Sequence, residues 1–162
     1  MDENITIASF HEAGHGIMSY IVGWTISSIE LTVVDNMLLN AVTKYDFGID
    51  VEDNYTNLNR RVFCLVGGPI CEAFYRKEMH IDLDILGQDR ITIDQLLNGF
   101  SPVEREKIIQ NALNDVATLL NAKNSKKATQ EISEILIKDR RLSVEEFHSI
   151  MERNNITKMN FD

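Results

Sequence analysis

The chain has 162 residues, 25 acidic against 16 basic side chains, and a formal net charge of −9. A balance this acidic argues against a nucleic-acid backbone or an anionic membrane surface as partner. The apolar fraction is ordinary, no tract is of low complexity and no apolar run reaches membrane-spanning length, so one globular domain with a substantial core is expected.

The first predicted element is a helix from about Asn4 to Val22, stopped by Gly23. Ile7, His11, His15, Met18 and Val22 share one stripe of its wheel. Two histidines thus stand where core residues belong. They are part of His11-Glu12-Ala13-Gly14-His15, which has the form H-E-x-x-H. Residues four apart on a helix lie about 40° apart in azimuth and about 6 Å apart along the axis, so both imidazoles can grip one metal ion. Glu12, about 100° round from His11, is placed to move a proton there. A lone histidine on an apolar face is usually a hydrogen-bonded core residue. Two of them beside a glutamate are hard to satisfy without a metal. Gly14 and Gly16 each cost a helix interior roughly 1 kcal/mol relative to alanine, which suggests a second backbone passing close by or, more simply, tight helix packing.

The period then changes. Thr25 to Val34 and Met37 to Tyr45 read as extended runs joined at Asp35-Asn36, a hairpin. Met37, Leu38, Leu39 and Ala41 are good helix formers, but Val42, Thr43 and the short span favour strand. Asp46 to Asn54 reads as a loop. A second helix follows from about Tyr55 to Lys77, with Leu58, Val62, Leu65, Pro69 and Glu72 on one stripe. Pro69 is expected to kink or split it. Cys64 and Cys71 read as small core residues of a reducing compartment, not as a disulfide. Glu72 is either an i,i+4 partner of Arg76 or a carboxylate held near the metal.

Residues Glu78 to Gln88 read as a loop and Asp89 to Leu97 as a short helix ended by Asn98-Gly99. Ser101-Pro102-Val103-Glu104 is a capping box that opens a helix to about Asn121. Lys123 to Lys127 reads as a basic polar turn, Ala128 to Arg140 as a helix, and Ser143-Val144-Glu145-Glu146 as the start of a last one. The tail from Asn154 is expected to fray. The fold class is therefore mainly α, one domain over residues 1–162 with a single β-hairpin after the H-E-x-x-H helix. Residues 1–100 form the metal-site half and 101–155 a C-terminal helical part.

Catalytic zinc usually takes three protein ligands and keeps one open position. The helix supplies two, and no third histidine follows at short range. Glu72, His80, Asp82, Asp84, Asp89 and Asp94 are all candidates, and spacing does not choose among them. Asp89, at a helix start, reads equally well as an N-cap.

In its order of motifs the chain resembles the protease domain of the FtsH family of membrane AAA+ zinc proteases. Phe10-His11-Glu12-Ala13-Gly14-His15-Gly16 is similar to the family's histidine motif, and Gly67-Gly68-Pro69-Ile70-Cys71-Glu72 to its G-G-R-x-A-E stretch, with Pro69 in place of the usual arginine. Asp89, in Gly87-Gln88-Asp89-Arg90-Ile91, falls where the family carries its metal-binding aspartate, without the Ala-Ser-Asn run that precedes it there. Ala128, Ile135-Leu136 and Leu142-Ser143-Val144-Glu145-Glu146-Phe147 resemble its C-terminal pattern.

The resemblance implies a helical metallopeptidase fold, with His11, His15 and Asp89 as zinc ligands and Glu12 as the catalytic acid–base. It implies Glu72 behind one histidine and an extended peptide added to an edge of the hairpin. It does not imply ATP-driven degradation, because the sequence contains no G-x-x-x-x-G-K-[ST] stretch and no membrane anchor. The expected partner is a polypeptide substrate, with a homo-oligomer or a separate ATPase as further partners, and with neither nucleic acid nor membrane insertion. The acidic start Met1-Asp2-Glu3 lacks the basic region of a signal peptide, so a cytoplasmic setting is expected. A reading from another class is a non-catalytic FtsH-like binding or regulatory domain with structural or absent metal. A third is some other metal-dependent hydrolysis.

Overall fold

The computed structural model describes residues 3–46 and 55–160. The order of elements is α1 (Glu3–Ile21), β1 (Thr25–Val34), β2 (Met37–Asp46), α2 (Tyr55–Arg76), a 3₁₀ turn (Leu83–Leu86), α3 (Asp89–Leu96), α4 (Pro102–Asn121), α5 (Lys123–Asp139), β3 (Arg141–Ser143) and α6 (Val144–Arg153). The architecture is mainly helical with a small antiparallel sheet, as the sequence leads one to expect. The loop expected between Asp46 and Asn54 lies, beyond Asp46, outside the described residues.

Helix α1 buries Ile5, Ala13, Ile17, Met18 and Ile21. It packs on α2 through glycine. A β-carbon at Gly14 would collide with the Gly67 carbonyl, and one at Gly67 would come within 2.7 Å of the Gly14 carbonyl oxygen and of Met18 Cγ. The two backbones approach this closely only because neither residue has a side chain. Gly16 faces side chains instead: a β-carbon there would come within 2.8 Å of Ile29 Cδ1 and 3.2 Å of the Phe147 ring.

The hairpin forms with Asp35 and Asn36 at φ of 49° and 65°, the left-handed pair that a two-residue turn requires. Register shifts at Ser27 on β1 and at Leu39 on β2 bend the ribbon. The sheet has three strands in the order β2-β1-β3, one more than the sequence suggests. Strand β3 is three residues long and pairs Leu142 with Ile29, too short to show a period of its own. Among the described residues it leaves β2 as an edge.

Helix α2 runs unbroken through Pro69, so the expected split does not occur. The ring is accommodated at the cost of the amide that would have served the Leu65 carbonyl. The segment before Asp89 is not simply a loop, because Leu83–Leu86 close a 3₁₀ turn capped by Asp82. Helix α5 starts at Lys123 rather than near Ala128, with only Ala122 breaking the chain after α4. A run of lysines tolerates helix well, and Ser125 and Ala128 are buried in its first turns. The tail is not frayed as far as Met159: Asn154 and Ile156 are buried, and the Met159 amide donates to the Ile21 carbonyl at 2.7 Å. One apolar cluster runs from Ile5 in α1 through Ile70 in α2 and Leu113 in α4 to Ile150 in α6, so both halves share a core.

Candidate metal centre

The helical spacing of His11 and His15 brings their Nε2 atoms to 3.0 Å. Each ring is oriented by its other nitrogen. His15 Nδ1 donates to the Cys64 carbonyl at 2.7 Å, and His11 Nδ1 donates to Glu72 Oε2 at 3.0 Å. With both Nδ1 atoms committed to helix α2, both Nε2 atoms are left to bind. Glu72 also accepts from Arg76 Nε at 2.9 Å, so both roles weighed for it from the sequence are present at once.

Asp89, the first residue of α3, lies across from the two rings. Its Oδ2 is 3.1 Å from His11 Nε2 and its Oδ1 is 3.7 Å from His15 Nε2. Gln88, not Asp89, occupies the N-cap position, so the capping role is not the one Asp89 takes. Ligand atoms about 2.0 to 2.1 Å from a tetrahedral zinc stand about 3.3 Å from one another. The three separations here, 3.0, 3.1 and 3.7 Å, bracket that value. Gly68 keeps this space clear: a β-carbon there would collide with His15 Nε2 and stand 2.8 Å from His11 Nε2.

His11, Glu12 and His15 each offer a ligand atom within 4.8 Å of the others, so the cluster can hold a metal ion. Asp89 also faces both Nε2 atoms, at 3.1 and 3.7 Å. Glu12 is otherwise engaged: Thr43 Oγ1 donates to its Oε2 at 2.8 Å. The other candidates lie elsewhere. His80, Asp82 and Asp84 line a neighbouring hollow with Met79, and Asp94 pairs with Arg90 at 2.9 Å.

The electrostatics are those of a cation site. Burial opposes a charge on His11, but the hydrogen bonds it donates to Asp89 and Glu72 and the charges of Asp89 and Glu12 outweigh it, and its pKa is raised to about 9. The His11 imidazole in turn holds Glu72 below the usual carboxylate range against the effect of burial, with Arg76 adding to it. Without an ion, a proton on His11 answers the surrounding carboxylates. Burial, with the negative charges of Glu12 and Asp89 nearby, raises Tyr45 well above the ordinary phenol value, and the phenol is hydrogen-bonded to Ser19.

The cleft over these residues measures about 480 Å³ and is walled by Ala41, Val42, Thr43 and Tyr45 of β2 and by Ile85 to Asp89. An apolar hollow of about 420 Å³ adjoins it through Tyr45 and Leu65 and is lined further by Trp24, Cys64 and Leu96. Neither Thr43 nor the Cys64 carbonyl is legible in the sequence as part of the site. A buried-face threonine in a strand has no signature, and a carbonyl is independent of its side chain. Gly68 was legible as half of a glycine pair but not as a neighbour of imidazoles.

Among the described residues no helix is long and apolar enough to cross a membrane. In comparisons with known proteins, no family model matches this chain and no curated protein matches it.

Proposed function

We propose that the chain is a zinc-dependent endopeptidase acting on unfolded or flexible protein. The observation that carries this reading is the convergence of His11 Nε2, His15 Nε2 and the Asp89 carboxylate at tetrahedral-ligand spacing, with Glu12 beside them. Two neutral imidazoles and one carboxylate are a donor set suited to zinc, and they leave a position open. Zinc bound there supplies Lewis acidity, acidifying water and polarising a peptide carbonyl. Glu12 takes the proton of the attacking water and returns it to the leaving amine. Glu72 and the Cys64 carbonyl hold the two rings in the ligating tautomer. The open edge of β2, whose residues wall the cleft, accepts an extended peptide as an added strand. The apolar hollow beyond Tyr45 and Leu65 gives room to a substrate side chain. Free, buried Cys64 and Cys71 suit a reducing, cytoplasmic setting.

Resemblance to the FtsH protease domain supports the same assignment residue by residue. The test joins metal analysis to cleavage. Protein purified without chelator should carry one zinc per chain and cleave an unfolded protein. Glu12→Gln should keep the zinc and lose cleavage by at least about a thousandfold, since the proton shuttle acts only in the transition state. Stoichiometric zinc with no cleavage by the wild type would make the domain a metal-stabilised binding module instead. Failure to take up zinc would remove the metal reading altogether.

A further inference from the structure

Thr43 makes a contact that the metal chemistry does not use. Its hydroxyl lies 2.8 Å from Glu12 Oε2 and 3.1 Å from the Glu12 carbonyl oxygen. Both residues are buried, each 6% exposed. A hydroxyl has one hydrogen to give. The shorter contact, to the charged oxygen, is the stronger use of it. Thr43 stands on β2 opposite Ile29, itself wholly buried, so the strand is anchored at this point. Its branched β-carbon restricts χ1, and the hydroxyl is aimed by the packing of the sheet.

Building on the peptidase reading, we propose that Thr43 is the positioning residue of the general base. It pins one carboxylate oxygen of Glu12 to the strand that aligns the substrate and leaves the other oxygen to carry the proton. Base and peptide are then both referenced to β2. An extended chain bound along that edge meets a carboxylate whose rotamer is already fixed, so no search over side-chain conformations precedes proton transfer. Thr43 acts through Glu12 and touches no reacting atom. Its loss leaves the strand edge and the metal ligands in place and frees the carboxylate to turn. The effect therefore falls on kcat and spares KM.

The test compares Thr43→Val, which keeps the branched shape and removes the hydroxyl, with Thr43→Ser, which keeps the hydroxyl. In zinc-loaded protein acting on an unfolded substrate, Thr43→Val should lower kcat by about 10- to 100-fold, the worth of one hydrogen bond to a charged group. KM should stay within about twofold and zinc content should be unchanged, because only the transition state loses an interaction. Thr43→Ser should recover most of the loss.

A second arm needs no activity. Thermal midpoints of metal-free wild type, Thr43→Val, Glu12→Ala and the double variant form a cycle, and the double variant should fall short of the sum of the single effects. Strict additivity overturns the Thr43–Glu12 link whether or not the chain is a peptidase. An unchanged kcat in Thr43→Val, with an active wild type, overturns the positioning role and leaves the peptidase reading intact. A zinc-loaded wild type that cleaves nothing overturns the peptidase reading itself and the catalytic meaning of the link with it.

Discussion

Helices α1 and α2 meet through glycine backbones and a cluster of imidazoles and carboxylates, whereas α4, α5 and α6 bring Ile109, Leu113, Leu120, Ile132, Leu136 and Ile150 into the apolar cluster. The second contact is ordinary burial, with ion pairs such as Arg153–Glu131 left at the surface. The first buries polar atoms that need an ion or a proton to be comfortable. The two regions belong to one apolar cluster, so the C-terminal helices supply stability that the polar seam does not. A candidate metal site of this kind is a local deficit that the rest of the core supports.

The sharpest way to break the contrast is to remove a ligand. Asp89→Ala should abolish stoichiometric zinc while leaving the fold intact. Glu72→Gln, which loosens the hold on His11 and the exposed pair with Arg76 but removes no ligand, should weaken zinc binding by about 10- to 100-fold. A zinc titration with a competing chelator ranks the two, and the reverse order would transfer the ligand role to Glu72. Gly68→Ala belongs with the larger effect, since its methyl would occupy the space beside both Nε2 atoms.

Next in size are changes to packing. Leu136→Ala, wholly buried in α5, should cost about 2–5 kcal/mol in denaturant unfolding. Gly14→Ala should cost a comparable amount for the opposite reason, because it adds an atom where the Gly67 carbonyl already stands. In zinc-loaded protein the first should leave metal affinity unchanged and the second should weaken it, which separates the two regions directly.

His11 has its pKa raised to about 9 from 6.5 in the metal-free fold. A raised value means that the folded state holds the proton more tightly. The associated stability is therefore complete below about pH 6.5 and is lost as pH rises through about 9. Zinc must displace that proton, so its apparent affinity should climb over the same interval and level off above about pH 9. Thermal melts of metal-free protein and zinc titrations should thus move in opposite directions between pH 6.5 and 9. In the C-terminal region, Glu131→Gln should change stability by less than about 1 kcal/mol, because Arg153 is half exposed and the pair is screened.

Much of this was legible locally. The H-E-x-x-H helix, the hairpin turn at Asp35-Asn36 and the capping box at Ser101–Glu104, where the Ser101 amide donates to Glu104 Oε2 at 2.9 Å, all depend on residues within a few positions of one another. Strand β3 escaped notice because three residues carry no period, and the start of α5 because lysines signal solvent rather than turn. Asp89 could be singled out by resemblance alone. Spacing gave no preference among six candidates, since the 74 positions that separate it from His15 are closed by tertiary contacts.

What the sequence determined by itself was the pair of imidazoles and the base beside them, because a helix of 3.6 residues per turn fixes their relation whatever surrounds it. Only the tertiary structure decided which nitrogen of each ring is left to bind, which carboxylate faces it, and that Thr43 meets Glu12. Those contacts join α1 to Cys64, Glu72, Asp89 and β2 across 31 to 78 positions of chain. Such partners are selected by the packing of Gly14 on Gly67 and of the sheet on α1, and packing of that kind has no local code.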